Sequence, residues 1–512
     1  MTSSSQLGVM TSSEPATTPV LAQGYLHPGI LFLRLAVAVR GTIIPIIVGV
    51  FFLEDIYSIG IISVALFFMV TNMVYSLIRF VTFRYWLTTE ELVTTEGIFN
   101  RQERRIPVDR VQDLSFEQTL VRRFFGLVVV TVETASGEGA EAKLDSLGLR
   151  PAAQLREAMQ YIRTQRSPAS AAAGVQLADV PDEEVLFRVR AKDLTLRGLT
   201  DNRAGAILIA LFVVADQADQ FGAFEWVERL FSWAYESISN METAVAVAVI
   251  GLALIMVVLL GWVVSVAASF LLFHGFVLVR RGEVFQRRYG LLTTRVRSLP
   301  QTKIQRVLME QSWLRRLLSL VVVRADSAGS GANQSAEVKT GLDVVAPMTR
   351  LETGRRLVPL LLPGMDAHRL SWLRVSGKVI NRLFAEGVVV AAVALAVGLP
   401  LFGPLSWLAL LIPVLALVSG VLIYNNLGYS HVEGHFTMRW GVIGRYRAYI
   451  PLRKVQAVAL RAGPWDRMFG LARLVVYVAG SSPTMLAHLT RSDAQRLQRE
   501  LVLAAASTKF VW

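Results

Sequence analysis

The chain has no cysteine. Disulfides, thiolate metal sites and cysteine nucleophiles are therefore excluded. Its histidines are scattered. His431 and His435 are four apart, but the segment reads as strand and turn and offers no third ligand, so no metal site is expected. Gly-x-Ser-x-Gly, Walker A, His-Glu-x-x-His and Gly-x-Gly-x-x-Gly patterns are all missing. Residues 1–22 hold no Lys or Arg and one acid, Glu14. A Ser/Thr/Ala-rich stretch of that kind reads as a disordered tail, not a cleavable leader. Charge is also scarce in six apolar blocks of roughly 20 residues, the length that spans a bilayer.

Those blocks lie near 38–54, 59–79, 204–222, 244–272, 387–403 and 405–426, and the mean hydropathy is +0.47. The third is the weakest, because Asp216 and Asp219 crowd its end. No carboxylate pair or charged stripe runs through them, which argues against an ion-coupled transporter. The net charge is +13, and its placement decides orientation. Between the first two blocks lie Glu54 and Asp55 with no Lys or Arg. Between the third and fourth lie Asp216, Asp219, Glu225, Glu228, Glu236 and Glu242 against a lone Arg229. Between the last two there is no charge. Positively charged flanks stay in the cytoplasm, so the segments after each hairpin, and both termini, are expected there. No face interleaves basic residues with stacking aromatics, so nucleic acid is not an expected partner.

The chain also carries one motif written three times. The first copy is Gly97, Pro107, Arg110-Val111-Gln112 and Arg123-Phe124-Phe125-Gly126-Leu127. The second is Gly290, Pro300, Lys303-Ile304-Gln305 and Arg316-Leu317-Leu318-Ser319-Leu320. The third is Gly441, Pro451, Lys454-Val455-Gln456 and Arg467-Met468-Phe469-Gly470-Leu471. Ungapped self-similarity means one folding unit used three times. Chemistry seldom needs three diverged copies of a catalytic site, whereas binding and scaffolding often use them. Each copy follows a short lead-in and a helical hairpin. The lead-ins mix Leu and Arg at helical spacing and read as amphipathic pieces at the headgroup level, with Arg34 and Arg40 snorkelling. Each soluble copy reads as several strands with a turn glycine, closed by an amphipathic helix at 151–162, 348–361 or 492–504.

Strands closed by one C-terminal helix, with Pro-x-x-[Lys/Arg]-[Val/Ile]-Gln followed by Arg-apolar-apolar-Gly-Leu, resemble the bacterial pleckstrin-homology-like (PH-like) membrane proteins. The three-copy, paired-helix plan is similar to their YdbT-like group. The resemblance covers nearly all the chain after residue 20. Copy 2 has Ser319 where the others have Gly. Copy 3 departs most: Asp466 replaces the first Arg of the pair, and Ala472-Arg473 interrupts the next strand. The resemblance implies a fold and a membrane, not a reaction.

The expected fold class is membrane α-helical hairpins plus α+β. It has six transmembrane helices and three PH-like β-barrel or sandwich domains, each capped by a C-terminal helix. The divisions are a tail at 1–22, lead-in and first hairpin at 23–79, and first domain at 80–165. A linker and lead-in at 166–203, the second hairpin at 204–272 and the second domain at 273–363 follow. The third set is a lead-in at 364–386, a hairpin at 387–427 and a domain at 428–506.

Each candidate binding position has a functional and a structural reading. Arg110, Lys303 and Lys454 either offer a cation to an anionic headgroup or pair locally at a strand edge. Gln112, Gln305 and Gln456 read as structural, satisfying loop backbone beside the Pro. Arg123, Arg316 and Arg467 either dock on membrane or a neighbouring copy, or are solvated beside a buried apolar residue. Arg101, Arg104 and Arg105, Arg295 and Arg297, and Arg445 and Arg447 resemble the basic strand of phosphoinositide-binding PH domains. The alternative is an ordinary polar face. No catalytic residue, cofactor or metal is expected, and no enzymatic activity. The expected function is an integral scaffold of the bacterial plasma membrane. It would present three cytoplasmic PH-like domains for protein or anionic-lipid docking. Another membrane protein or a second copy of the chain are the candidate protein partners. The alternative is a transport- or export-associated component regulated by those domains.

Overall fold

The structure is a computed structural model, and it describes residues 19–52, 55–98, 101–134, 140–165, 183–201, 232–233, 236, 242–327, 342–432 and 434–507. These form two compact units, the first holding repeat 1 and the second holding repeats 2 and 3.

In the first unit, β1 (Val20–Tyr25) leads into the helices α1 (Gly29–Phe52) and α2 (Asp55–Thr82). The chain returns through β2 (Arg84–Thr88), β3 (Glu91–Glu96) and β4 (Gln102–Pro107). β1 pairs antiparallel with β2, Tyr25 opposite Arg84 and Val20 opposite Thr88. The hairpin is therefore inserted between the first and second strands of one sheet. A Cβ on Gly24 would stand 2.8 Å from the Tyr85 hydroxyl, so a side chain there would push the two strands apart. The chain goes on to β5 (Val111–Thr119), the short helix α3 (Leu120–Phe124), β6 (Leu127–Thr134) and β7 (Ala140–Gly148), with β6 paired antiparallel to both β5 and β7. The central β6 has Leu127 to Val130 wholly buried, as a strand covered on both faces must be. Helix α4 (Leu149–Gln165) buries Ala152, Leu155, Met159 and Ile162, a helical stripe, onto Leu87, Leu92, Val130 and Leu144.

The second unit repeats the plan twice. β8 (Glu184–Arg188) and α5 (Ala191–Thr200) precede α6 (Thr243–Phe273). β9 (Val277–Arg281), β10 (Val284–Tyr289) and β11 (Thr293–Pro300) complete the first sheet. β12 (Ile304–Gln311), α7 (Trp313–Leu317), β13 (Leu320–Ser327), β14 (Leu342–Arg350) and α8 (Leu351–Leu361) follow. The third set is β15 (Leu373–Arg374), α9 (Lys378–Phe402), α10 (Leu411–Asn426), β16 (Gly428–Val432), β17 (His435–Trp440) and β18 (Arg445–Pro451). It ends in β19 (Val455–Arg461), α11 (Pro464–Met468), β20 (Leu471–Val478), β21 (Thr484–Thr490) and α12 (Arg491–Ser507).

The lead-in stretches at 26–40 and 193–203 are largely helical where described, and each is preceded by a strand, β1 or β8, that pairs across the hairpin; in the third, at 368–382, the strand β15 comes before α9. Strands of two to six residues are too short to show a period of two against Leu and Arg at helical spacing. The turn glycines behave alike in all three copies. Gly97, Gly290 and Gly441 have φ of 94°, 110° and 97°, a region costly for any residue with a Cβ.

Ile62–Thr82, Thr243–Phe273 and Lys378–Asn426 are long and apolar enough to cross a membrane. The last contains both α9 and α10, which pack against each other at small residues. A Cβ on Gly387 would lie 2.6 Å from that of Ala416, and one on Gly420 3.0 Å from the Ile380 Cα. Close backbone approach is how apolar helices associate where lipid removes the hydrophobic driving force. The block expected at 204–222 lies outside the described residues.

Repeats 2 and 3 share a sheet. β12 pairs antiparallel with β18, Met309 opposite Arg447 and Val307 opposite Tyr449, giving the order β14-β13-β12-β18-β17-β16-β15. Tyr449 is packed into the core of the second domain. At the same junction the buried Arg306 pairs with the fully buried Asp326 at 2.6 Å and also donates to the Ser482 carbonyl and the Thr484 hydroxyl of the third domain.

Candidate functional site

β7, β14 and β21 each carry a bulge at the equivalent place, beside Asp145-Ser146, Pro347-Met348 and Ala487-His488. Bulges of this kind re-aim side chains and backbone groups. Ser146 and His488 take left-handed φ of 62° and 63° there. The bulge carbonyls meet the hairpin: Ser146 O accepts from His27 N and His488 O from Ser376 N, both at the entry to the first hairpin helix.

An arginine from the helix after each lead-in strand then enters each domain beside its bulge. Arg34 of α1 pairs with Asp145 at 3.2 Å, and Arg122 of α3 holds the other carboxylate oxygen at 2.9 Å. Arg197 of α5 donates to the Pro347 carbonyl at 2.7 Å, with its guanidinium 4.1 Å from the Phe273 ring centroid. Beside it, Arg315 of α7 donates to the Thr200 hydroxyl at 3.0 Å. Arg382 of α9 pairs at 3.0 Å with Asp466 of α11, which is 1% exposed and also meets Arg473 at 3.0 Å. Arg34 is thus engaged by a carboxylate and does not only snorkel.

The three sockets exchange their charges. The same helix position is Arg122, Arg315 and Asp466. Where it is Asp466, the cation comes from Arg473 instead, so both departures of copy 3 belong to one site. Sequence reasoning noted Asp466 but missed Asp145, Arg197 and Arg382, because the partners lie far apart in sequence; Arg34 and Asp145, for example, are 111 residues apart. Burial first, then Arg382, pushes the His488 imidazole down to about 4.

The sequence-derived basic positions do not converge on one common pocket. Arg101, Arg104, Arg105, Arg110 and Arg123 are exposed in the first domain. Arg105 is occupied by Glu103 at 2.7 Å and Glu91 at 3.4 Å. Arg295, Arg297 and Lys303 are half-buried, and Arg467 is exposed. Lys454 is buried, and burial followed by Arg453 lowers its pKa. Gln305 is buried and donates to the Lys303 carbonyl at 3.2 Å, the structural role expected of it, whereas Gln456 is exposed. The side chain of Gln112 lies outside the described residues. Arg316, Arg445 and Arg447 do come together, at the seam between the second and third domains. Arg316 donates to the Val442 carbonyl at 3.2 Å, and Arg445 to the Asn426 side chain at 3.2 Å.

The bacterial PH domain family model matches residues 35–163, 239–362 and 380–504, and the chain belongs to that family. Each match begins in or just before a hairpin helix, so the family unit includes membrane helix and domain together. The chain is 22% identical over 469 residues to UPF0699 transmembrane protein YdbT of Bacillus subtilis (strain 168), covering 89% of this chain and 93% of that protein. No solved structure matches it.

Proposed function

We propose that the chain is a non-enzymatic scaffold of the bacterial plasma membrane. Three hairpins hold three PH-like domains on its cytoplasmic face, where they dock a partner protein or anionic lipid. The observation that carries this reading is the socket built in each copy from an arginine of the helix after the lead-in strand and a group on, or beside, the domain's bulged strand. A domain with a hairpin inserted after its first strand, and an ion pair or hydrogen bond locking the two, has no need of recruitment. Its surfaces can instead be held in a fixed attitude to the bilayer.

The tips of α3, α7 and α11 support docking beside the membrane. Each lies next to its socket and exposes a large apolar side chain: Phe124 at 86%, Leu317 at 77% and Met468 at 66%. Each of these follows an arginine, Arg123, Arg316 or Arg467. Phe125 stacks on Phe32 of α1 with centroids 6.0 Å apart, which places that tip at the hairpin base. Apolar residues beside cations suit an interface with one dry and one anionic side. Photo-cross-linking from these three positions in native membranes tests the reading. Cross-links to lipid or to a discrete protein partner are expected. Tips that cross-link to neither would overturn docking.

A further inference from the structure

Two buried arginines of the second unit are matched by buried carboxylates. Arg306 has Asp326, and Arg382 has Asp466. The seam between the second and third domains is different. Arg447 of β18 is 9% exposed and stands directly opposite Arg439 of β17. Like charges placed opposite each other across strands are destabilising. Among the described residues no carboxylate pairs with Arg447; its charged neighbours are Arg355, Arg439 and Arg316, with the Tyr449 hydroxyl. Arg445, two residues earlier on the same face, is surrounded by Arg316, Arg447 and Arg439. Burial first and these cations second hold both guanidiniums below their ordinary range. The Nε atoms of Arg439 and Arg445 are buried without a hydrogen-bond partner. Glu352, three residues before Arg355, is engaged by Arg355 at 3.0 Å.

A buried cation with no counter-charge, such as Arg447, costs several kcal/mol, and the half-buried Arg439 and Arg445 and the exposed Arg316 beside it add repulsion. Guanidinium groups converging on one place match the oxygens of a phosphate group. We propose that Arg316, Arg439, Arg445 and Arg447 form a binding site for a phosphate-bearing anion at the domain seam. The surroundings suit a phospholipid headgroup. Arg445 reaches Asn426, the last residue of the membrane helix α10, and the Arg439 guanidinium lies 4.9 Å from the Trp372 ring centroid. The lipid source rests on the docking reading above. The phosphate chemistry does not.

The full-length chain is placed in nanodiscs of phosphatidylcholine alone, or with phosphatidylglycerol, and in phosphatidylcholine discs with added inorganic phosphate, all at matched ionic strength. Thermal unfolding and native mass spectrometry are read for the wild type, Arg447→Gln, Arg445→Gln and, as control, the exposed Arg453→Gln. Phosphatidylglycerol should raise the wild-type Tm, and at least one such lipid should stay bound in the spectrometer. In Arg447→Gln that retention should fall about tenfold, equivalent to 1.4 kcal/mol of binding. Its Tm in plain phosphatidylcholine should match or exceed the wild type, because an unpaired buried charge is gone. A merely structural arginine would lower that Tm. If Arg447→Gln does not fold, Arg445→Gln carries the same expectation. A response to inorganic phosphate but not to phosphatidylglycerol keeps the site and removes the lipid source. Full retention in the arginine variants, or no wild-type response to either anion, overturns the site. Neither result touches the scaffold reading, which the tip cross-links test separately.

Discussion

Ser319 shows how one residue can carry a repeat's cost. Its counterparts Gly126 and Gly470 both have φ of 65°, and Ser319 is held at 52° with a Cβ. A left-handed non-glycine residue costs of order 1 kcal/mol. Ser319→Gly should therefore stabilise the second domain by about 0.5–1 kcal/mol, read as a Tm rise of a few degrees. A fall would mean that the hydroxyl holds something the backbone does not show. His488 gives a pH dependence of definite sign. Its pKa drops from 6.5 to about 4 in the folded domain, with burial the main cause and Arg382 next. Between those values the unfolded chain binds a proton that the folded one does not. Its contribution is thus complete above pH 6.5 and is lost as pH falls, by roughly 2 kcal/mol at pH 5. His488→Asn should remove this part of the acid sensitivity in a pH series of unfolding curves, because Asn tolerates the φ of 63°. An unchanged acid limb would mean that His488 is not its source.

At the scale of elements, the sockets join hairpin to domain, and the third can be broken by removing a charge while keeping shape. Asp466→Asn leaves Arg382 buried against a neutral amide. Breaking one side of a buried pair typically costs about 3–5 kcal/mol, so the third domain should lose most of its margin. Hydrogen exchange should quicken both in β21 and in the first turns of α9. Quickening in β21 alone would mean that the helix is not held through this pair. Much at this scale was legible in the sequence. Apolar blocks, turn glycines and Val-rich strands such as β6 are local patterns, and repetition tripled each signal. What escaped was non-local or too short. β15 is two residues long. The pairing of β12 with β18 joins different repeats, and no spacing rule announces it. The sockets needed partners from three separate segments. The basic-strand motif was visible in every copy, yet only at the seam, where Arg316 of one repeat meets Arg445 and Arg447 of the next, do the charges converge.

At the scale of the whole molecule, the shared sheet makes repeats 2 and 3 one body, and charge distribution sets which way it faces. The net charge of +13 sits mostly on the segments after each expected hairpin, while the stretches between its two apolar blocks, at 54–55, 216–242 and 403–404, are acidic or uncharged. Basic flanks resist translocation, so the domains should lie in the cytoplasm and the turns outside. The absence of native cysteine makes this directly measurable. Cysteines placed one at a time at Ser58, Glu225 and Pro404 should react with an impermeant thiol reagent added to intact cells. A cysteine at Gln102, on β4 of the first domain, should react only after the membrane is opened. The three turn positions also test the span count, because three external turns separated by internal domains require six crossings. Labelling at Gln102 from outside would invert the arrangement. Silence at Glu225 alone would remove the second hairpin and leave the second domain attached by a different number of spans. A single crossing left at α6 would instead silence Pro404 as well and put the second domain on the side opposite the first. Docking by all three domains on a single leaflet therefore depends on every turn position being labelled from outside.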